Sequence, residues 1–306
     1  MLRKTNGLYF AIATAVISGF SIWLNSYVVK FSDATVFTSS KNLLVAIFLT
    51  SILIGTKNFV KLKNLTARDW FYLISIGLIG GSIPFVLFFK GIALTSAGTA
   101  GFIHKTMFIW VAIGAIIFLK EKITVWFVAG FILLIGGNLI LFKAPANFLG
   151  NGQQLIWLAV AFWTIENILV KKFFLAKKQI SSIVASWGRM FFGAIFMLLY
   201  LGFLGKAGDM GEFNASQMWW ILITSVLLLG YVLTWYEAVR RAPVHIVAAI
   251  LVLGSPITTL IASIQKGQIA FRDLVVIAIF FLAGVFIFKS FGNMKNFQNK
   301  VLLKDN

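Results

Sequence analysis

Ten long apolar runs constrain the fold of this chain more than any other feature of its sequence. Each run contains roughly 18 to 24 residues, enough to cross about 30 Å of hydrocarbon as a helix. Only short polar segments separate the runs, and none could hold a soluble domain. The sequence therefore predicts an all-α membrane protein with ten transmembrane helices, near residues 8–29, 34–54, 69–89, 97–119, 124–142, 153–170, 182–204, 216–239, 243–264 and 273–290.

The composition agrees with a polytopic membrane protein. Of the 306 residues, 60% are hydrophobic and 12% are charged, about half the charged fraction of a soluble domain. The 27 basic and 9 acidic residues give a net charge of +18, which in a soluble chain would suggest nucleic acid. Here topology explains the excess, so no nucleic-acid partner is expected. The absence of cysteine excludes disulfides and thiolate metal sites.

The distribution of basic residues predicts the orientation of the helices. If the N-terminus is cytoplasmic, the inner segments carry 18 of the 27 basic residues and the outer segments carry 6. The remaining three, Lys41, Lys105 and Arg189, lie within predicted spans. This threefold excess satisfies the positive-inside rule, and it predicts a multi-pass protein of the cell (inner) membrane with both termini cytoplasmic.

Weak internal similarity predicts a duplication of five spans. Residues 41–48 match residues 189–196 with a basic residue in the same register, and residues 25–30 match 166–171. Residues 93–123 likewise lie over residues 238–269. Because five is odd, the two repeats, at 1–146 and 147–306, would have opposite orientations around a central cavity. Many secondary transporters use this design.

With these features, the chain resembles the EamA-type members of the drug/metabolite transporter superfamily. The resemblance covers about residues 8 to 290, including FLKEKIT at the end of span 4, Ala-Phe-Trp163 in span 6 and Gly254-Ser-Pro256-Ile in span 9. It implies that the first four helices of each half surround the cavity, and that the protein exports amino acids, other metabolites or drugs. The chain departs from the family pattern at Ser18-Gly19, at Lys266-Gly267-Gln268 and at Lys105.

Four polar groups within the spans form two equivalent sets. Glu166 and Arg189 lie at similar depth on neighbouring predicted helices, and a structural ion pair between them is expected. In the alternative interpretation, Glu166 is a proton or substrate site that breaks this pair during transport. Asn25 and Lys41 occupy the equivalent places in the first half, where Asn25 cannot neutralise Lys41. Lys41 either contributes to the substrate site or extends towards the outer surface.

Lys105 and His104 interrupt the fourth span. Lys105 is too deep to reach a surface easily and has no carboxylate in its own helix, so contact with the substrate or a role in coupling is predicted. His104 points about 100° away from Lys105 on a helix, and a hydrogen bond to a neighbouring helix is favoured over proton shuttling. His245, near the start of span 9, is expected at the membrane interface.

Aromatic and helix-breaking residues complete the candidate site. Stacking against a flat substrate and ordinary packing are both open for three aromatic residues, Trp163, Trp235 and Tyr236. Prolines free a backbone carbonyl and permit a kink. Hinges are therefore predicted at Pro84, Gly254 and Pro256.

Motifs for other chemistry are absent from the sequence. It contains no GxxxxGK[ST], HExxH or GxSxG and no Cys/His cluster, so no enzyme, cofactor or metal site is predicted. The function expected is a secondary transporter that exports small polar metabolites, most plausibly amino acids, by alternating access. Coupling to protons would use Glu166, His104 or Lys105. The basic excess within the spans favours an anionic or zwitterionic substrate.

Two alternatives remain open. One is an intramembrane enzyme that acts on a lipid headgroup, with Glu166 and His104 as acid and base. The other is a lipid- or drug-translocating member of the same superfamily. A sensory or scaffold module would need a signalling domain, which the short linkers do not supply. The partners expected are a small-molecule substrate and the lipid bilayer, and a homodimer is compatible with the sequence.

Overall fold

The chain folds into helices joined by short turns. The computed structural model describes residues 2–141, 149–175, 181–265, 267 and 269–302, and every regular element among them is helical. The α-helices are α1 (Leu2–Val28), α2 (Ala34–Gly55), α3 (Ala67–Ile76), α4 (Ile83–Ala93), α5 (Ala97–Lys105), α6 (Met107–Leu119), α7 (Val125–Leu141), α8 (Asn151–Leu169), α9 (Ser182–Phe203), α10 (Ala215–Arg241), α11 (Val244–Val252), α12 (Ser255–Gln265) and α13 (Phe271–Leu302).

Most of these helices are long and apolar enough to cross a membrane. Within the described residues there are nine candidate spans, at Gly7–Phe31, Ala34–Gly55, Ala67–Ala93, Thr99–Leu119, Asn151–Phe173, Ser182–Phe203, Ala215–Arg241, Val244–Gln265 and Phe271–Met294. A shorter apolar helix, α7, lies at the place of the predicted fifth span, whose last residue, 142, lies outside the described residues. The protein is a multi-pass, all-α membrane protein.

Three of the predicted spans are interrupted. A π-helical segment, Gly77–Ser82, separates α3 from α4, and Pro84 lies in the first turn of α4, where its missing N–H leaves no bond unmade. The fourth span is interrupted at Thr106, directly after Lys105, although the sequence predicted one continuous helix. Leu253 and Gly254 separate α11 from α12.

The helices pack in a small set of pairs. Helix α1 packs along α10 and also contacts α11 and α12, while α8 packs along α4 and α6. Helix α2 packs on α9, and α7 packs on α13. Each of these pairs joins a helix from the first half of the chain to a helix from the second half. The two halves therefore share an extensive interface.

Backbone contact at two glycines brings α9 against the π-helical segment. A Cβ atom added at Gly81 would lie 2.0 Å from the carbonyl oxygen of Arg189, and one added at Gly193 would lie 2.5 Å from the carbonyl oxygen of Gly81. Small residues permit such close approach of helices in membranes. The contact places Arg189 directly beside the broken third span.

Among the described residues, loop contacts are found at two ends of the bundle. At one end, Lys206 Nζ lies 2.6 Å from Asp33 Oδ2, and Gln217 donates to the Phe31 carbonyl at 2.7 Å. At the other end, Thr124 donates to Ser290 at 2.7 Å. These contacts join segments that the sequence assigned to the same side of the membrane.

Candidate functional site

An internal cavity lies between helices from both halves of the chain. The empty space in and around this pocket, including the part that opens to solvent, is about 690 Å³. Its lining combines aromatic rings with a few polar side chains: Ser18, Ser21, Ile22, Asn25, Lys41, Phe85, Phe88, Phe89, His104, Met107, Trp163, Asn167, Arg189, Leu228, Tyr231 and Trp235. A concave pocket with mostly apolar walls and a few polar groups is typical of a small-molecule site.

Lys41 projects from α2 into this cavity. Its side chain is buried, with only 1% of the residue exposed, and Nζ donates a hydrogen bond to Asn25 Oδ1 at 3.1 Å. The ammonium also lies 3.7 Å from the ring centroid of Phe89. The alternative that Lys41 extends to the outer surface is therefore wrong. Lys41 and Asn25, predicted at equivalent places to Arg189 and Glu166, are in direct contact.

Glu166 and Arg189 form the expected pair, but the pair is loose. Both residues are buried, and Arg189 Nη1 lies 3.9 Å from Glu166 Oε2. The Arg189 Nε donates to the Gly80 carbonyl at 3.2 Å, and the Tyr236 hydroxyl donates to Glu166 Oε1. Glu166 Oε2 has no hydrogen-bond partner within the part of the chain that the structure describes. Of these residues, only Arg189 reaches the cavity lining.

His104 lines the cavity and packs among aromatic rings. Its ring centroid lies 5.3 Å from that of Phe88 and 5.4 Å from that of Trp163. The Trp163 Nε1 donates to the Gly80 carbonyl at 3.0 Å, which fixes this indole. The Nδ1 atom of His104 is buried and has no hydrogen-bond partner among the described residues. The hydrogen bond predicted for His104 is therefore missing at this atom.

Lys105 lies outside the residues that line the cavity. Its buried Nζ donates to Ser18 Oγ and to the carbonyl oxygen of Leu251, both at 3.1 Å. Leu251 belongs to the last turn of α11, where a cation is favoured by the helix dipole and by free carbonyl groups. Lys105 thus joins α1 and the end of α11, and its role in coupling stays a prediction.

The other predicted aromatic residue of the lining, Trp235, is held by a hydrogen-bond chain. Its Nε1 donates to Asn167 Oδ1 at 2.8 Å, and Asn167 Nδ2 donates to the Trp163 carbonyl at 2.8 Å. Tyr231 stacks on Trp235 with centroids 6.1 Å apart. Sequence analysis missed Asn167 and Tyr231. One turn of helix separates each from a predicted residue, Trp163 or Trp235, and this spacing was the available signal.

Phenylalanines form a wall of the cavity that the sequence did not single out. Phe85 and Phe89 stack with centroids 6.3 Å apart, and Phe88 packs edge-on against Phe89 at 5.6 Å. All three follow Pro84 in α4, at spacings that place them on neighbouring positions of one helix. They are indistinguishable in sequence from the other phenylalanines, of which the chain has 32 in total.

The predicted hinge residues lie at the interruptions of the third and ninth spans. Pro84 is the second residue of α4, and Gly254 and Pro256 flank Ser255, the first residue of α12. Gly254 is also a crossing point, because a Cβ atom there would lie 2.3 Å from the Ala15 carbonyl oxygen. Movement at these residues stays a prediction.

His245 is fully buried within the protein, and its predicted position at the depth of the membrane interface stays a prediction. Its Nδ1 lies 2.5 Å from Glu121 Oε2, and Glu121 also accepts bonds from the backbone N–H groups of Val244 and His245 at 3.0 and 3.3 Å. Burial raises the pKa of Glu121, but the hydrogen bonds from His245 and Val244 outweigh this effect. The pKa of Glu121 therefore lies below its ordinary value. Glu121 therefore caps α11 as a carboxylate.

The fold and cavity together define a class of protein. Apolar helices packed around an internal cavity with buried polar groups are the architecture of a multi-pass membrane transporter. The sequence matches the EamA-like transporter family twice, over residues 5–143 and 150–289. The chain belongs to this family. Since the family is one of transporters, this assignment argues against an enzyme.

A solved structure supports the fold independently. A protein described only as a crystal structure of a protein matches with a TM-score of 0.73 and 12% sequence identity. The match covers 93% of this chain and 97% of that one. No curated protein matches the sequence. At this level of identity the similarity concerns the fold alone.

Proposed function

We propose that this protein is a secondary transporter that exports small polar metabolites, most plausibly amino acids or related compounds, by alternating access. The observation that carries this proposal is the cavity between the two halves, because a site shared by two halves is accessible from either side when they rock. The sequence contains no phosphate-binding loop, so a gradient would drive transport.

The architecture proposed for this activity is two inverted repeats, 1–146 and 147–306, with ten spans including α7. The helix pairs support it, because a two-fold relation between the halves would exchange them. Such a relation converts the α1–α10 pair into the α8–α4 pair and leaves the α2–α9 and α7–α13 pairs unchanged. The positive-inside rule favours a cytoplasmic location, at the inner membrane, for the contact between Thr124 and Ser290 and for both termini.

Proton coupling is proposed through Glu166. This carboxylate is buried, its Oε2 has no hydrogen bond within the described residues, and the nearest cation stands 3.9 Å away at Arg189. An arrangement this loose leaves the carboxylate able to accept a proton without breaking a short, direct ion pair. His104, with its unbonded Nδ1 in the cavity wall, is the second candidate.

The experiment is uptake by liposomes that carry the purified protein. A pool of labelled amino acids and organic acids is offered with and without an imposed pH gradient. The proposal predicts saturable flux that the gradient stimulates, and Glu166→Gln should retain flux but lose the stimulation. Lys206→Gln, a change at an exposed ion pair outside the cavity lining, serves as the matched control.

Two results would count against the proposal. Absence of flux for every compound in the pool would refute metabolite transport of this class. Flux that is equally stimulated in Glu166→Gln would refute the coupling role while leaving transport in place. A drug or lipid substrate is the second candidate, favoured by the phenylalanine wall, so lipophilic cations belong in the same pool.

A further inference from the structure

Most acidic residues in the described part of the chain have partners other than Lys41. Eight of the nine acidic residues lie in the described part, and the ninth, Asp305, lies outside it. Helix caps and cation pairs use six of them: Asp33, Asp69, Glu121, Glu166, Glu237 and Asp273. Asp209 and Glu212 lie at the Gly208–Gly211 turn. Within these residues no ion pair joins a carboxylate to either buried lysine of the first half, Lys41 or Lys105.

The two buried lysines differ in how their donors are used. An ammonium has three N–H donors. Lys105 places two of them on oxygen acceptors, one of which is a carbonyl at the end of a helix. Lys41 places one donor on the Asn25 amide oxygen and otherwise faces the ring of Phe89. Lys41 is also the one of the two that lines the cavity. A buried charge with free donors and an adjoining cavity is arranged to receive an anion.

The second half of the chain offers an internal contrast. Arg189 occupies the place equivalent to Lys41, and there Glu166 supplies a carboxylate from the chain itself. In the first half, Asn25 stands where the carboxylate would be. Among the described residues, Arg189 therefore has a carboxylate partner, whereas Lys41 in the same cavity lining has none.

The walls beside Lys41 fit a planar group. Phe89, under the ammonium, packs against Phe88, and Phe88 packs against Trp163 with centroids 5.4 Å apart. All of these residues line the same cavity. A planar body could stack on these rings while its charged group reaches Lys41.

We propose that Lys41 and Asn25 form the subsite that binds the carboxylate of the substrate, with the planar part of the substrate against Phe88 and Trp163. This inference rests on the proposed transport function and names the chemical group that the cavity recognises. Asn25 orients the ammonium through its amide oxygen. The carboxylate of the substrate would pair with Lys41, just as the carboxylate of Glu166 pairs with Arg189.

The test measures binding of radiolabelled benzoate, a minimal planar carboxylate, to purified protein in lipid nanodiscs. Saturable binding is expected, with benzamide competing at least about tenfold more weakly because it lacks the charge. Lys41→Gln should weaken benzoate binding by about 10- to 100-fold, and Lys41→Arg should restore most of it. Lys90→Gln, a lysine that binds Tyr200 outside the cavity lining, is the control that should bind normally.

The more specific variant is Asn25→Asp. It places a carboxylate at the atom that now lies 3.1 Å from the Lys41 ammonium, so an internal ion pair should displace benzoate. Because this change adds a partner for Lys41, the protein should remain folded, as gel filtration and thermal melting would verify. Loss of benzoate binding in a folded Asn25→Asp protein would support the subsite.

Several outcomes would overturn the inference. They are absence of saturable benzoate binding by the wild-type protein at about 10 mM, equal binding of benzamide, and normal benzoate binding by folded Lys41→Gln. Liposome uptake separates these from failure of the transport proposal. Flux without benzoate binding refutes the subsite alone, whereas benzoate binding without flux of any compound refutes transport alone.

Discussion

Substitution of Gly81 by alanine should separate the Gly77–Ser82 segment from α9, the helix that holds Arg189 in the candidate site. The added Cβ would lie 2.0 Å from the Arg189 carbonyl oxygen and 3.1 Å from the Gly193 Cα. Ordinary contact needs roughly 3.5 Å, so α9 and the Gly77–Ser82 segment must separate by more than about 1 Å. The atoms that clash belong to the backbone, and no rotation of a side chain can relieve them.

The free energy cost follows from what the separation breaks. Overpacking of this kind costs about 1–3 kcal/mol. Arg189 Nε donates to the Gly80 carbonyl at 3.2 Å, and a further displacement of about 1 Å exceeds hydrogen-bond range, which adds about 1 kcal/mol. A total of about 2–4 kcal/mol is therefore expected for Gly81→Ala.

The assay is thermal unfolding of the purified protein, monitored by the fraction that remains monodisperse in gel filtration. Gly202→Ala, on the facing helix α9, is the matched control, because a Cβ at Gly202 would meet nothing within 4 Å. Gly81→Ala should melt several degrees below this control. Equal melting temperatures for the two variants would refute the close backbone contact at Gly81.

Three further predictions concern charged groups. Lys105→Met should lower the melting temperature, because it removes the cation at the end of α11, while benzoate binding at Lys41 should persist. Glu121→Gln should lower the melting temperature at pH 7, because it removes a charged cap from α11. The pKa of Glu121 lies below its ordinary value of about 4.5, so the stabilisation by its carboxylate is lost as the pH falls through that lower pKa. The melting temperatures of the variant and the wild type should therefore converge at low pH. Lys206→Ala should leave the melting temperature unchanged within error, because its pair with Asp33 is exposed; a clear decrease would contradict this.

The membrane-spanning architecture was predictable because it depends on long apolar runs. The relative depth of the ionisable residues was also predictable from their positions within these runs. Glu166 and Arg189 lie at similar distances along adjacent spans, and their side chains come within 3.9 Å of each other. The position of the fourth-span interruption was not predictable. Thr106, where the helix is interrupted, is neither glycine nor proline, so tertiary contacts decide the geometry there.

The partners of the buried charges were largely invisible in the sequence. Lys105 is satisfied in part by the backbone carbonyl of Leu251, an acceptor that every residue carries. His245 is buried because Glu121, far away in the sequence, lies against it. Such pairings depend on which helices meet, and no local pattern encodes that information.

The contacts of Lys105 have a mechanical consequence. Through Ser18 and the Leu251 carbonyl, this one side chain fastens the interrupted fourth span to α1 and to the interruption of the ninth span, and Gly19 presses on Gly254 beside it. The fourth span is thereby joined both to α1, from its own half of the chain, and to the ninth span, from the other half. If the two halves rock as proposed, the contact between Lys105 and Leu251 must break, so distance probes placed across it would register the motion.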